Sequence, residues 1–322
     1  MTNRAVWLVG AGAMARAYAA VLVAMDLSPL VICRSKASAD RFAAETGLRC
    51  IHGGVAAALD QEGGAPESAI IAIDVGQLAG ATRDLMDAGC RRLLLEKPGG
   101  IDADDIDALA AKAASLDAQV YIAYNRRFYG SVMAVRQGLE ADGGPVSMSF
   151  DFTEASDAVL KIGHPPALLK QWLLANSTHV IDTAFVLAGE PLDWSATTSG
   201  ALDWHPRAAR FAGHGVTEAG VLFSYLADWD APGRWAIEIS SRLRRFILKP
   251  MEQLQVQVRG SFQVQPVPLD GDLDVRFKPG LYLQTQAFLT GENRELLPTL
   301  AEHSRRVRTI YEPIATGAVP SA

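Results

Sequence analysis

Two charged residues, Glu96 and Lys97, follow a run of leucines in the stretch LLLEKPGG. Leu93–Leu95 have the pattern of a strand that is covered on both faces, because such strands lack the polar alternation of half-exposed ones. A carboxylate and an ammonium group are costly beside a buried strand unless something there uses them. An ammonium group can stabilise a developing alkoxide or donate a proton to it. The alternative is an ordinary polar loop after a strand.

The first strand-to-helix turn, VGAGAMA, places Gly10, Gly12 and Ala15 in the G-x-G-x-x-G/A pattern. Gly10 permits a tight turn, Gly12 lets a pyrophosphate approach the backbone, and the small Ala15 allows close helix packing. The motif follows the first predicted strand and precedes a long predicted helix, which an accidental glycine turn would rarely do. We therefore predict a dinucleotide site formed by Gly10, Gly12, Ala13 and Met14.

The end of the second predicted strand indicates which dinucleotide is bound. A site that prefers NAD usually has an Asp or Glu roughly 20 residues after the first glycine, where it holds the ribose 2′-hydroxyl. This strand instead ends in Arg34, Ser35 and Lys36. An acid would repel a 2′-phosphate, whereas an arginine, a hydroxyl and a lysine can bind one. The sequence therefore favours NADP(H) over NAD(H); the alternative is that these charges are solvated at the start of a helix.

Strands and helices alternate through the first third of the chain. The predicted strands are AVWLVG, PLVICRS, SAIIAID, RRLLLEKP and QVYIAYN. Helical segments of ten or more residues between strands imply a parallel sheet with right-handed crossovers. Ligands of such sheets bind at the carboxyl ends of the strands, where Arg34, Asp74, Glu96 and Lys97 fall. We predict an α/β protein whose first domain, 1–123, is a dinucleotide-binding Rossmann domain.

The composition limits the remaining classes of function. With 322 residues, 49% hydrophobic and 20% charged, the chain is typical of a soluble globular protein of one or two domains. Its net charge of −6 argues against a nucleic-acid partner. Cys33, Cys50 and Cys90 have no CxxC spacing and no histidine in ligand register, so we predict no metal site and a reducing compartment. No apolar stretch is long enough to cross a bilayer, and MTNRAVWLVG leaves no room for a signal peptide, which favours a cytoplasmic protein without a membrane partner.

The ordered set GAGAMA, EKP and AYNRRFYG resembles the glucose–fructose oxidoreductase, inositol dehydrogenase and rhizopine-catabolism (Gfo/Idh/MocA) family. NSTHVIDTAFVLAGEP and KPGLYLQTQAFL extend this resemblance nearly to the end of the chain. It implies that a second domain, 124–322, has an open, largely antiparallel sheet that covers the active site and often forms the oligomer interface. It also implies a homodimer or homotetramer that oxidises or reduces a hydroxyl or carbonyl of a sugar, an inositol or a nucleotide-linked sugar.

The resemblance assigns roles to individual residues. Lys97 matches the family's lysine, which touches the nicotinamide side and the reacting oxygen, and His179 matches a histidine that commonly donates or accepts a proton. Asp182 matches the acid that follows this histidine. Many relatives have an aspartate four residues before the histidine, but this chain has Ala175. Asn176 could then hydrogen-bond the substrate, as in a subgroup with an NS-x-H-V-I-D string.

A second departure and several neighbouring residues complete the predicted site. The strand SAIIAID ends in AIDVGQ where many relatives have a threonine-proline pair and a histidine, so different nicotinamide-side contacts are expected there. Tyr124 and Arg127 are expected near the crevice, and His164 either contacts the substrate from its loop or is a surface residue. Asp182 either binds substrate or is a plain helix-surface acid. The arginine-rich segment Ser241–Lys249 is either a phosphate-binding site for a nucleotide-linked sugar or a charged edge strand.

Three functions are compatible with these patterns. The leading hypothesis is an NADP(H)-dependent oxidoreductase in which Lys97 and His179 are catalytic. A second keeps a tightly held NAD, oxidises a sugar transiently, eliminates a group and reduces again, which gives glycoside hydrolysis. A third is a dinucleotide-sensing protein without catalysis, because Ala175 breaks the Asp–His pair. Retention of Lys97 and His179 argues against the third.

Overall fold

The first 125 residues alternate strands and helices, and the computed structural model describes residues 6–269 and 272–319 of the chain. The strands of this part are short and mostly apolar, as expected where helices cover both faces of a sheet. Strands β1 to β6 are Val6–Val9, Leu30–Cys33, Cys50–His52, Ser68–Ile71, Arg92–Leu95 and Gln119–Ile122. Helices α1 to α5 are Ala13–Ala24, Lys36–Thr46, Gly54–Glu62, Val75–Asp87 and Ala103–Ser115.

These six strands form one parallel sheet in the order β3-β2-β1-β4-β5-β6. The order reverses direction at β1, whose Leu8 pairs with Val31 on one side and Ile70 on the other. This is the strand order of a Rossmann domain, and the predicted fold is confirmed. Strand β3 and helix α3 were not predicted, because a three-residue strand leaves almost no hydrophobic pattern.

Local capping explains where the helices of this sheet begin and end. Ser35 caps α2, its hydroxyl accepting a hydrogen bond from the backbone N–H of Ser38, and Gly47 ends that helix in the left-handed conformation. Asp102 caps α5 through the N–H of Asp105. These caps satisfy backbone groups that a helix terminus leaves without partners.

The second part of the chain combines a large sheet with several helices. Its helices are α6 Gly130–Ala141, α7 Ser156–Lys161, α8 Pro166–Lys170, α9 Thr178–Ala188, α10 Asp272–Arg276, α11 Leu281–Thr290, α12 Leu300–Arg306 and α13 Glu312–Thr316. Its strands are β7 Ser147–Asp151, β8 Pro191–Ser199, β9 Arg210–Thr217, β10 Leu222–Asp228, β11 Ala236–Ser240, β12 Arg244–Leu248, β13 Leu254–Val258 and β14 Val264–Val267. None of the helices in the described ranges is long and apolar enough to span a membrane.

The eight strands form one sheet in the order β14-β13-β12-β11-β7-β10-β9-β8. Only the β7–β10 pair among them is parallel, so the predicted open, largely antiparallel sheet is confirmed. Strand β9 was not predicted because Gly213 and Gly215 interrupt its apolar pattern. A Cβ added to Gly213 would lie 2.4 Å from the Tyr225 ring, and one added to Gly215 would lie 2.3 Å from the Trp194 side chain. Gly213 therefore makes room for the Tyr225 ring, and Gly215 for the close approach of Trp194 on the neighbouring strand.

The chain divides into two compact units whose boundaries are not continuous in sequence. The first unit contains the described residues up to Asn125 together with Leu273–Arg305. The second contains the described residues of 126–272 and those from Arg306 onward. The predicted boundary at residue 123 supposes two continuous domains, and it stays a prediction. In the first unit, helix α11 packs against α1, and the backbone N–H of Ile122 donates to the carbonyl of Pro298.

Candidate functional site

A cavity of about 980 Å³ lies at the carboxyl ends of the parallel strands in the first unit. This volume is at the upper end of the range typical of small-molecule sites. All but one of the predicted cofactor residues line it: Gly10, Gly12, Ala13, Met14, Arg34, Ser35, Asp74, Glu96 and Lys97. The exception is Lys36. The structure therefore brings together residues from the ends of β1, β2, β4 and β5.

Gly10 and Gly12 differ in what requires them to be glycine. Gly10 has φ +130°, and a Cβ there would lie 2.2 Å from the carbonyl oxygen of Ala72, so the protein itself excludes a side chain. Gly12 has φ −82° and ψ −172°, and a Cβ there would meet no protein atom within 4 Å. Because Gly12 borders the cavity at the N-terminus of α1, its missing side chain leaves room for a ligand. This cradle fits the pyrophosphate of a dinucleotide.

The charged residues at the end of β2 separate into two environments. Arg34 is exposed on the cavity wall, and no residue in the described ranges forms a hydrogen bond or ion pair with its guanidinium group. Ser35 lines the cavity beside it. Lys36 instead donates to Asp40 one helical turn away, with the two atoms 2.7 Å apart. Arg34 and Ser35 are thus the groups at this strand end that face the cavity.

Glu96 and Lys97 occupy the end of β5. The Tyr18 hydroxyl, in a fully buried side chain, donates to Glu96 Oε1 across 3.0 Å. Burial raises the pKa of the Glu96 carboxyl, and the neighbouring Lys97 ammonium opposes that shift. Burial and the Glu96 charge also raise the pKa of Tyr18 well above its ordinary value. The carboxylate and ammonium group noted in the sequence therefore both border the cavity.

The loop after Lys97 is fixed within the same unit. His303 is fully buried, and its Nε2 lies 2.7 Å from the carbonyl oxygen of Pro98, so Nε2 donates the hydrogen bond. The ring of His303 packs 5.6 Å from the ring of Tyr124, which is 1% exposed. Asn125 is also anchored, because its amide donates to the carbonyl of Pro279. Tyr124 is thus a buried residue, and its predicted contact with substrate stays a prediction.

In the second unit, His179 lies in the first turn of α9. This helix is buried along nearly its whole length, as expected for a helix that is apolar on all faces. Phe185 holds it against the sheet, with ring centroids 5.6 Å from Phe150 and 5.2 Å from Phe223. The His179 ring is buried and lies 6.3 Å from the ring of Trp235. A rigid support therefore holds His179.

Asp182 and Arg127 form a buried ion pair one turn along the same helix. Arg127 Nε and Nη2 each donate to a different Asp182 oxygen across 2.6 Å. Arg306 and the Tyr311 hydroxyl also donate to Asp182 Oδ1, at 2.9 and 3.1 Å. Burial raises the pKa of Asp182, but these partners outweigh burial and leave the pKa below its ordinary value. Asp182 is therefore not an exposed helix-surface acid, and substrate binding by Arg127 and Asp182 stays an untested prediction.

Asn176 lies in a π-helical turn, Leu173–Ser177, directly before α9. Single π-helical turns within α-helices occur frequently at functional sites. Asn176 is partly exposed, whereas its neighbours from Leu173 to Val180 are buried. Its amide nitrogen lies 3.1 and 3.2 Å from the two carboxylate oxygens of Glu154, and the Ser177 hydroxyl donates to Glu154 Oε1 across 2.6 Å. Ala175, in the same turn, is buried.

His164 and the arginine-rich segment have other surroundings. His164 is partly buried, and its ring lies 5.1 Å from the ring of Trp172. The segment Ser241–Lys249 contains β12, which pairs with β11 and β13, so the interpretation of an edge strand is wrong. Within this segment, Arg244 forms an ion pair with Asp142. The phosphate-binding alternative for the segment stays a prediction.

Sequence reasoning missed three residues near the predicted second-unit site. Glu154 follows β7, a strand of alternating exposed and buried residues, and no recognisable motif marks it. Trp235 lies beside His179, and the Arg126 guanidinium stacks 4.7 Å from the Trp235 ring centroid. No sequence spacing links Arg126 to Trp235, which are more than 100 residues apart.

Comparison with solved structures shows proteins of the same fold. Levoglucosan dehydrogenase in complex with NADH has a TM-score of 0.79 at 18% identity, with 100% of both chains covered. UDP-N-acetylglucosamine 3-dehydrogenase from Acidithiobacillus ferrooxidans has a TM-score of 0.74 at 19% identity, covering 99% of this chain and 98% of that one. An oxidoreductase from Agrobacterium radiobacter in complex with NAD+, L-tartaric acid and magnesium has a TM-score of 0.76 at 15% identity, covering 98% of each. At these identities the likeness establishes the fold.

A comparison with curated proteins found no match. Residues 4–124 match the model of the family described as an oxidoreductase family with an NAD-binding Rossmann fold, GFO_IDH_MocA. The matched segment includes the glycine turn and the EKP sequence, two of the motifs on which the family resemblance is based, and it also includes Arg34. The family resemblance is thereby confirmed. Residues 4–124 of this chain are thus similar to the NAD-binding Rossmann domain of the Gfo/Idh/MocA oxidoreductase family.

Proposed function

We propose that this chain is an NADP(H)-preferring oxidoreductase that transfers hydride to or from a hydroxyl or carbonyl group of a sugar, a nucleotide-linked sugar or a related polyol. The sugar class is supported by the levoglucosan and UDP-N-acetylglucosamine dehydrogenases among the structural relatives. Two of the structural relatives are complexes with NADH or NAD+. The preference for NADP(H) therefore depends on this chain's own residues.

Arg34 carries that preference. Its guanidinium borders the cavity without a partner among the described residues, and Ser35 offers a hydroxyl beside it. A guanidinium group binds a phosphate through charge-assisted, often bidentate hydrogen bonds. The end of β2 supplies no carboxylate to hold a ribose 2′-hydroxyl, since the residues after Cys33 are Arg34, Ser35 and Lys36. A 2′-phosphate is thus the better match for this wall.

The backbone around Gly10 and Gly12 and the N-terminus of α1 would hold the pyrophosphate. When bound, the nicotinamide cofactor supplies hydride acceptance or donation. The Lys97 ammonium, at the cavity wall, would stabilise negative charge on the reacting oxygen or give it a proton. We assign to His179 the second proton-transfer role and to Asn176 a hydrogen bond with the substrate, both on the basis of the family resemblance.

The network around Asp182 would then position His179 rather than bind substrate. Both oxygens of Asp182 already accept hydrogen bonds from Arg127, and one also accepts from Arg306. A carboxylate with these partners keeps α9 fixed one turn from His179. The rigidity that a catalytic group needs is supplied by such supporting contacts.

Exposed leucines support the proposed assembly, and the cysteines support the proposed location. Leu222 and Leu226 are exposed on strand β10, which supports a homodimer or homotetramer through this sheet. Cys33, Cys50 and Cys90 are free thiols, which supports a cytoplasmic location. Light scattering after size-exclusion chromatography would measure the oligomeric state, and a monomer would contradict the proposed assembly.

The deciding experiment is a calorimetric titration of the purified protein with NADPH and, separately, with NADH. We expect tighter binding of NADPH, and Arg34→Asp should weaken it by about ten- to a hundredfold, as expected for loss of one or two charge-assisted hydrogen bonds. Lys36→Ala is the matched control, because Lys36 lies two residues after Arg34 in sequence but is not among the residues that line the cavity. It should change NADPH affinity less than threefold.

Preference for NADH in the wild type would overturn the NADP(H) proposal and leave the oxidoreductase proposal intact. Absence of binding by either dinucleotide would overturn both. Binding followed by no turnover in a screen of sugars, keto-sugars and nucleotide-linked sugars would favour a dinucleotide-sensing protein instead.

A further inference from the structure

Glu154 is a buried carboxylate that none of the proposed roles uses. It is 6% exposed and lies between β7 and α7 in the second unit. Burying a carboxylate is costly unless hydrogen bonds compensate for its lost hydration. Its contacts with Asn176 and Ser177 place this charge directly against the π-helical turn that precedes His179. This turn also contains Ala175, where many relatives have an acid.

The contact with Glu154 decides which way the Asn176 amide points. An ionised carboxylate only accepts hydrogen bonds, so the group of Asn176 that faces it must be the NH₂ group. Nδ2 lies within 3.2 Å of both Glu154 oxygens, which agrees with this orientation. Because the amide is planar, its carbonyl oxygen Oδ1 then points away from Glu154. Asn176 therefore presents the acceptor Oδ1 on the side away from Glu154.

Within this turn, Asn176 is the residue that is partly exposed. Asn176 is partly exposed, although residues 172–175 before it and 177–181 after it are buried. Ser177 contributes to the fixed geometry, because its buried hydroxyl donates to Glu154 Oε1 and so holds the carboxylate in place. The turn therefore offers one oriented polar group to a ligand, and that group is a hydrogen-bond acceptor.

We infer that Glu154 is a positioning residue that makes Asn176 Oδ1 an acceptor for a donor group of the substrate, a hydroxyl of the sugar. This inference rests on the proposed function for the identity of the donor. Glu154 does not touch the substrate; it acts through Asn176. Many relatives have an acid at the position of Ala175. In this chain, Glu154 places a buried carboxylate against the same turn. A sugar lacking the bonded hydroxyl should lose affinity at this site.

The test compares Glu154→Gln with the wild type. Glutamine has nearly the same size, but its amide can donate as well as accept, so it no longer forces the orientation of Asn176. We expect KM for the sugar substrate to rise about three- to tenfold with kcat changed less than about twofold, because the loss of one oriented hydrogen bond weakens substrate binding modestly. Asn176→Ala should raise KM similarly, and the double variant should be no worse than Asn176→Ala.

Glu190→Gln is the matched control, because it removes another carboxylate of the second unit that accepts a hydrogen bond, in this case from Arg306. A merely structural effect of losing a carboxylate would change the melting temperature in both variants without the KM-specific change. If KM is unchanged in Glu154→Gln, or if Glu154→Gln and Asn176→Ala have additive effects on KM, the inference is wrong.

A second measurement separates this inference from the proposed function. In ¹⁵N-labelled protein, the side-chain amide signals of Asn176, identified by their loss in Asn176→Ala, report the hydrogen bond without any turnover. We expect slow hydrogen exchange of this amide in the wild type and at least tenfold faster exchange in Glu154→Gln. Equal exchange rates would overturn the inference even if sugar oxidation is observed. The expected rates without activity on any sugar would overturn the proposed function and retain the amide orientation.

Discussion

The two units hold their arginines in opposite ways. Arg34 lies exposed on the cavity wall of the first unit without a protein partner in the described ranges, whereas Arg127 in the second unit is 4% exposed and bound to both oxygens of Asp182. A solvated guanidinium can exchange water for a phosphate, but a buried one that already has a carboxylate gains nothing from a ligand. In the proposed function, Arg34 is accordingly a binding group and Arg127 a supporting one.

The largest expected effect tests the cavity side of this comparison. Lys97→Met removes the ammonium group but keeps the length of the side chain, and we expect kcat to fall by about 10³-fold, because loss of one charge-stabilising group costs about 10²–10⁴ in rate. His179→Ala should cause a loss of about 10²-fold or more for the same reason. Steady-state kinetics with the sugar found in the screen would measure both.

Dinucleotide affinity is the control for these two variants. NADPH should bind to His179→Ala within about threefold of the wild type, because His179 is not among the residues that line the cavity, whereas weaker binding to Lys97→Met would report a cofactor contact in addition to the loss of kcat. Turnover within a few-fold of the wild type in both variants would contradict the proposed proton handling. It would leave the cavity as a dinucleotide site without an assigned catalytic group.

Part of this site could be predicted because its residues are close together in sequence. Gly10 and Gly12 lie in one turn, and Glu96 and Lys97 directly follow a buried strand, so local pattern and strand order suffice to place them at one sheet edge. Arg34 follows from the same rule, since it comes directly after β2. The parallel sheet converts each strand end into a position in the cavity.

The supporting contacts could not be predicted in this way. Asp182 and Arg306 are separated by 124 residues, and Glu154 and Asn176 by 22 residues, without a motif that joins either pair. The return of Leu273–Arg305 to the first unit likewise has no local sequence signal. Such contacts depend on how elements pack, and a hydrophobic period gives the face of an element but not its partner.

The next largest effect tests the supporting side. Asp182→Asn leaves two arginines buried near a neutral amide, and we expect it to destabilise the second unit by about 3–5 kcal/mol, the usual result of removing one partner of a buried ion pair. Asp228→Asn is the control, because its partner Arg210 is 45% exposed and such a pair contributes about 1 kcal/mol or less. Urea unfolding followed by circular dichroism would compare them.

The pH dependence of stability provides a further check on Asp182. Its pKa is lowered in the folded protein, so its charge stabilises the fold above the ordinary pKa of an aspartate, about 3.9. This contribution is lost as the pH falls through the lowered folded value. The stability difference between the wild type and Asp182→Asn should therefore be constant near neutral pH and shrink in acid below about pH 4. A constant difference down to pH 2 would contradict the direction of the shift.

The smallest expected effects compare Gly10 and Gly12 in the turn between β1 and α1. We expect Gly10 to support the fold and Gly12 to leave room for the ligand. Gly10→Ala should destabilise the first unit by about 2–4 kcal/mol, because its φ of +130° disfavours a side chain and a Cβ would overlap the Ala72 carbonyl oxygen. Gly12→Ala should change stability by about 1 kcal/mol or less, since its backbone is extended and its Cβ meets no protein atom. NADPH binding should nevertheless weaken about tenfold in Gly12→Ala, because the added methyl group occupies the approach to the backbone that a pyrophosphate needs. Unchanged NADPH affinity would show that the ligand does not approach Gly12, and the cavity would then lose its assignment as the pyrophosphate site.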